Sequence, residues 1–359
     1  MSQPSHRGST PGRIRLFRRL NIIVLVLLGL LILAGGIVRS SGAGMGCPDW
    51  PRCFGQLIPP LHESELPSDY QRIYAERGYA DTRFNAVKTW TEYLNRLLGA
   101  LTGLAVLLHF IFSLRAYGWR LKNVVFWSLV ALLLVLLQGG VGAWVVMTHL
   151  RDGVVTLHFV LALAVVGAVL KARFLSNPVD MLALTRDGGS PSYLGLRWQA
   201  WMVLGLMLIQ IVLGTQVRER VDEWVRLQGD GQTSQPALFR SLGTVFEWHR
   251  NFWMVVLMAC IYFYYSIDRM LGRGPLRNLA LGVLLFIGLQ VLTGGMLTRL
   301  RLPVVPRALH ILLGSLSFSL MLALALRLEE MYRKMLRGTD NSTELPQSIR
   351  ERISSGNYE

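Results

Sequence analysis

Eight apolar stretches punctuate the chain, at about 19–38, 92–114, 123–147, 153–174, 198–217, 247–267, 277–297 and 304–327, and polar segments with charges, glycines or prolines separate them. Each is close to the ~20 residues that a helix needs to cross a hydrocarbon core of ~30 Å. The pattern predicts an all-α polytopic membrane protein with eight transmembrane helices. The first stretch follows Arg13, Arg15, Arg18 and Arg19 and has no small-residue cleavage site, so it reads as a retained helix and not a removed signal peptide.

Composition narrows the class. The chain is 52% hydrophobic and 16% charged with a mean hydropathy of +0.39, whereas soluble domains carry roughly 25% charged residues. A soluble globular enzyme and a disordered chain are both excluded. Three cysteines are too few for a disulfide scaffold, and no C-x-x-C-H is present, so covalent c-type haem attachment is excluded.

The net charge of +15 would suggest nucleic acid in a soluble protein. Here the short connections 115–122 and 269–277 are basic, which by the positive-inside rule places them and both termini in the cytoplasm. The charge is thus a topology signal for a multi-pass protein of a bacterial inner membrane, embedded in lipid, and no nucleic-acid role is expected. Residues 39–91 and 218–246 then form long outer loops. The stretch 176–197, rich in Asn-Pro, Asp-Gly and Ser-Pro, reads as a cytoplasmic linker, with cytoplasmic tails at 1–18 and 328–359.

The halves on either side of that linker echo each other. Gly35-Gly36-Ile37-Val38-Arg39 ends the first helix and Gly214-Thr215-Gln216-Val217-Arg218 the fifth. Gln138 with Gly142 on the third helix matches Gln290 with Gly294 on the seventh, and Leu157-His158 and Leu309-His310 follow those glutamines by the same 20 residues. Three matches in order point to two homologous four-helix bundles, 19–175 and 198–327, in one orientation.

That repeat sharpens the candidate chemistry. The even helices all enter from the outer side and carry Asn95, His158, His249 and His310 about one turn in. A lone histidine in a membrane helix is often a packing residue, but ionisable groups at membrane depth also mark sites. His249 and His310 occupy corresponding helices of one bundle, and two imidazoles on facing helices are natural axial ligands for haem iron. Zinc would need three or four ligands, which do not stand beside them. His109, ~21 Å beyond Asn95 along the helix, reads as a packing or interfacial residue.

Arg96 and Arg250 follow Asn95 and His249 directly and are open to two readings, snorkelling to the interface or pairing with haem propionates. Glu92, one turn before Asn95, reads either as a proton donor or as a water-exposed cap. Cys47 and Cys53 share the first outer loop, where an oxidising compartment favours a disulfide, with a redox or loop-positioning role also open. Cys260 reads as a small apolar residue of the sixth helix.

The loop from Ser41 through Gly46-Cys47-Pro48-Asp49-Trp50-Pro51-Arg52-Cys53-Phe54-Gly55-Gln56, with Ile58-Pro59-Pro60 after it, resembles that of the haem A synthases. Thr91-Glu92-Tyr93-Leu94-Asn95-Arg96-Leu97, the stretch Gln138 to His158, His249-Arg250 and Gln290 to His310 fit the same family, over about residues 19–327. The resemblance implies an oxidoreductase that turns the C8 methyl of haem O into a formyl group by two successive hydroxylations, in supply of haem A to cytochrome oxidase. It also implies haem b in the C-terminal bundle, on His249 and His310, and a substrate site in the N-terminal bundle at His158 and Asn95, with Glu92 as the acidic residue.

One departure stands out. Many members of that family have histidine at the position of Asn95, and an amide is a poor iron ligand. The N-terminal site then offers His158 alone, which is open to three readings: an iron position left open for oxygen or water, a substrate held differently, or a lost or changed activity. A rival reading is a b-type cytochrome that passes electrons from quinol to a periplasmic acceptor, but it calls for ligand pairs in both bundles. A haem-handling transporter is a third, and no broken midplane helices support it. The sequence names no electron donor; haem O synthase and a second copy of the chain are candidate partners without a signature of their own.

Overall fold

The computed structural model describes residues 11–80, 82–118, 121–176, 192–228, 240–299 and 304–343. Eight of the described helices are long and apolar enough to cross a membrane. They are α1 (Pro11–Ser40), α2 (Ala86–Tyr117), α3 (Lys122–Met147), α4 (Val154–Ser176), α5 (Ser192–Gln228), α6 (Gly243–Leu271), α7 (Pro275–Arg299) and α8 (Val304–Thr343). The described residues contain no strand, only one isolated bridge between Cys53 and Gln56.

The helices outrun the apolar stretches. Pro11–Arg18, expected in the N-terminal tail, continues α1, and α8 runs on beyond 327 to Thr343. The second loop is shortened from both sides, because α5 extends to Gln228 and α6 starts at Gly243. Hydropathy marks only the part of a helix that lies in lipid, whereas backbone hydrogen bonding carries the helix on into water. Most of the linker, the last residues of the C-terminal tail and the start of the N-terminal tail lie outside the described residues.

Each of α1–α4 packs on its chain neighbours, and α4 returns to α1; α5–α8 repeat that circuit, with α8 against α5. Between the two circuits α8 packs on α1 and α4, with a smaller contact from α4 to α5. Accordingly 50% of the apolar window of α8 is buried against 17% for α7, so α8 is the central post. Its Met321, Leu324 and Leu328 enter the core made by α5, α6 and α7, while Ala323 and Leu326 enter the one made by α1–α4.

Helices α5–α8 divide along their length. The end away from the 41–85 loop is packed solid: Leu196 to Met207 on α5, Val256 to Ile267 on α6, Leu276 to Ile287 on α7 and Phe318 to Met331 on α8. The loop end of the same helices, from Gln210, Phe246, Gln290 and Val304, lines a cavity instead. A solid base under an open top leaves the cavity walls fixed by packing below them.

Candidate functional site

The cavity measures about 2910 Å³, well beyond the roughly 300–1,000 Å³ of a pocket for one small ligand. It is continuous across the two circuits of helices, so Asn95 and His158 line it together with His249 and His310.

His249 and His310 face each other with ring centres 6.4 Å apart and planes at 78°. One metal bound at ~2 Å from a nitrogen of each ring puts the ring centres roughly 6 Å apart. Glycines make the room: a Cβ at Gly214 would stand 2.9 Å from His249 Cε1, and one at Gly294 would stand 3.2 Å from His310 Cε1. Thr293 donates its hydroxyl to the main-chain carbonyls of Leu289 and Gln290 and stands 2.9 Å from His310 Nδ1. With its one proton assigned to those carbonyls, its oxygen accepts from Nδ1–H, and that assignment leaves Nε2 as the free donor nitrogen toward a metal. The pair fits a bis-histidine haem. No group of three or more His, Cys, Asp or Glu suited to a metal ion occurs among the described residues.

The same pattern recurs around the cavity. A Cβ at Gly142 would stand 3.2 Å from His158 Cε1, and Gln138, one turn earlier, donates to the main-chain carbonyl of His158 at 2.9 Å. Gln210 stands one turn before Gly214 and donates to the carbonyl of His249 at 3.0 Å. Gln290 precedes Gly294 by the same interval. The Oε1 atoms of all three glutamines are buried without a partner, as are Asn95 Oδ1 and the Nδ1 atoms of His158 and His249. The fourth quarter keeps its glycine, Gly35, where a Cβ would stand 4.0 Å from Asn95 Oδ1, but has Leu31 where the others have glutamine. Sequence reading paired Gln138 with Gln290 and missed Gln210, although its spacing from Gly214 is the same.

Glu92 is 4% exposed, which removes the water-exposed cap. Its Oε2 accepts from Cys47 N–H at 3.0 Å, and its Oε1 accepts from Arg96 Nε and Nη2 at 3.1 and 2.5 Å. Arg96 Nη1 donates to the carbonyls of Asp49 and Arg52, and Nη2 also to that of Cys47. All five N–H groups of Arg96 are thus engaged, and in this arrangement it is a clamp between α2 and the loop, with no donor left for a propionate. Arg250 is exposed and lies over the Phe246 ring, 5.5 Å from its centre.

The loop covers the cavity mouth as a small folded unit. Cys47 and Cys53 are joined by a disulfide and buried, while Cys260 is free and buried in α6. Asp49 accepts from the N–H of Phe54 and Gly55, and Phe54 packs edge-on against Tyr70, Tyr74, Tyr79 and Phe84. Tyr79 donates to the carbonyls of Met45 and Gly46. Burial first, then the carboxylates of Glu92 and Asp49 nearby, push its phenol well above the usual range, so it stays a donor.

His109 is fully buried away from the cavity, 3.0 Å from Asn21 Nδ2 and stacked near Phe17, as a packing residue.

These features define a multi-pass helical membrane protein with a facing histidine pair in a cavity large enough for more than one bulky cofactor. The chain belongs to the COX15-CtaA family, described as cytochrome oxidase assembly protein, which matches residues 18–322. It is similar to a heme A synthase of Shewanella oneidensis, 30% identical over 54% of this chain and 54% of that protein. It is also similar to one of Bradyrhizobium diazoefficiens, 32% identical over 55% of each. A third, of Beijerinckia indica, is 26% identical over 79% of this chain and 85% of its own. The match spans about half the length of the first two relatives.

Proposed function

We propose that this chain is a haem A synthase of the bacterial inner membrane, which oxidises the C8 methyl of haem O to a formyl group in supply of cytochrome oxidase. The facing pair His249–His310, in one cavity with His158, Asn95 and Glu92, carries the reading. We assign haem b to His249 and His310, oriented by Thr293. When bound it supplies one-electron transfer through its iron, tuned by these two ligands.

His158 is the ligand we assign to the substrate, haem O, with Asn95 lining the same cavity as a group that does not bind iron well. Two hydroxylations, each a two-electron oxidation that replaces one C–H by C–OH with an oxygen atom from dioxygen or water and an oxidant supplied from outside the chain, take the methyl to an alcohol and then a gem-diol, which loses water to the formyl group. Glu92 is assigned to proton transfer there, and its buried pairing with Arg96 keeps the loop closed against water. The homologous halves form an N-terminal substrate bundle and a C-terminal haem b bundle. The loop side faces the periplasm and both termini the cytoplasm, in keeping with the basic short connections.

The test is pigment extraction from cells that make haem O, with and without this chain: haem A forms only with it. In purified protein, His249→Ala or His310→Ala removes the low-spin b-type spectrum or turns it high-spin. Low-spin haem without haem A formation selects the electron-carrier reading instead, and an unchanged low-spin spectrum in both variants removes the ligand assignment.

A further inference from the structure

An arginine with unmet hydrogen-bonding capacity sits one turn above the histidine pair. Arg218 follows Gly214 by four residues, so it lies on the same face of α5 as the glycine that meets His249, ~6 Å nearer the loop end. Arg307 precedes His310 by three residues and shares that histidine's face of α8. Both arginines line the cavity, as do the two histidines. Arg218 uses only Nη2, which pairs with Asp222 and donates to the carbonyl of Arg39 at 2.9 Å. Its Nε and Nη1 are buried without a partner, which leaves three N–H groups unmet.

A buried guanidinium with unmet donors is costly, since each forgoes its water without replacement. Local carboxylates do not meet the need. Asp222 already serves Arg39 through its other oxygen, and Glu219 turns to α4, where it accepts from Gly153 N–H and Thr156. Arg307 lies within Coulombic reach of Arg218 and Asp222, so three cations gather around one shared carboxylate at this end of the cavity.

We propose that Arg218, together with Arg307, is the anion seat of the His249–His310 site and takes the carboxylate side chains of the haem bound there. The assignment rests on the reading that this pair holds haem, and it gives the propionates to Arg218 and Arg307 instead of Arg96 and Arg250. Both arginines stand within about one helical turn of a cavity-lining histidine or its facing glycine, and a carboxylate is the acceptor that Nε–H and Nη1–H of Arg218 lack; both nitrogens are covered as the side chain stands, so it turns toward the cavity to meet one. The same register places Arg39 four residues after Gly35.

The experiment compares two ligands on two proteins. Full-length chain made in haem-deficient cells is titrated in detergent with iron protoporphyrin IX or with its dimethyl ester, and low-spin absorbance is read. The wild-type chain prefers the free acid by roughly ten- to a hundredfold, the worth of one or two charge-assisted hydrogen bonds. Arg218→Met reduces that preference to a few-fold while still giving a low-spin spectrum, which itself reports a folded histidine pair. Arg218→Lys, which keeps the charge but not the planar donors, lies between.

If the wild-type chain binds acid and ester equally, or if Arg218→Met keeps the full preference, the proposal is overturned and the arginines serve another anion, such as a lipid phosphate. If Arg218→Met alone loses the low-spin spectrum, Arg218→Lys decides, and an undiminished preference there overturns the proposal. If the wild-type chain forms no low-spin species with either ligand, the haem reading itself fails and the seat falls with it.

Discussion

Asn95 is where the repeat breaks, and it breaks in two places at once. Three quarters of the cavity wall pair a glutamine, a glycine one turn on and a histidine against that glycine; the fourth has Leu31, Gly35 and Asn95. Because both polar members change while the glycine stays, this quarter is built around a smaller residue whose amide is a poor iron ligand. We therefore expect His158→Ala to abolish haem A formation and to keep the low-spin haem of the His249–His310 pair. Asn95→His should add a second low-spin signal when haem O is supplied and should slow turnover several-fold, since it closes an iron position. Faster turnover in Asn95→His would sink the open-position idea. That His249 and His310 face each other was legible from their matching depth on alternate helices. Thr293 and the clamp role of Arg96 were not, because the one is a common membrane-helix hydroxyl and the other's acceptors are mostly loop carbonyls, which leave no mark on the sequence.

At the scale of elements, the eight helices could be read from hydropathy, but their true ends could not, since charged turns continue a helix once it has left the lipid. The loop was legible only as a motif. Its fold depends on Phe54 among four aromatic rings and on a close approach to α2 that needs a residue without a side chain. A Cβ at Gly46 would stand 2.5 Å from the Lys88 carbonyl oxygen and 2.8 Å from Thr89 N, backbone against backbone, where no side chain can turn aside. Beside it, Thr89 Oγ1 donates to the Gly46 carbonyl at 2.8 Å, and Cys47 N–H donates to Glu92. Gly46→Ala should thus lift the loop from α2 and unseat Glu92. Haem A formation is expected to fall by at least tenfold, while low-spin haem per chain changes little, as the histidine pair stands on other helices. Gly29→Ala, with open space around it, is the control and should leave both unchanged. Equal losses of haem A formation and bound haem in Gly46→Ala would show that the loop serves the whole fold and not the substrate side.

At the scale of the whole molecule, the internal repeat was visible, but the way its halves meet was not. The joint uses contacts with no counterpart in spacing: α8 between the two cores, and Glu219 reaching from α5 to the start of α4. Glu219 is 6% exposed, and its Oε1 accepts from Gly153 N–H at 3.1 Å and lies 2.9 Å from the Thr156 hydroxyl. Thr156 also contacts Thr215 at 2.8 Å, so α4 and α5 are held by a short polar seam in an otherwise small contact. Removing the carboxylate leaves a half-buried amide N–H without its acceptor, at a cost of about 1–3 kcal/mol. Glu219→Ala should therefore lower the thermal midpoint of the detergent-solubilised protein by several degrees, at a fixed scan rate because such unfolding is seldom reversible. Glu219→Gln keeps an acceptor oxygen and should recover most of that loss. Since Thr215 and Glu219 of the seam line the cavity that both pairs of candidate ligands share, Glu219→Ala should also slow haem A formation more than it reduces low-spin haem content. An unaltered midpoint in Glu219→Ala would mean that α8 alone holds the halves together.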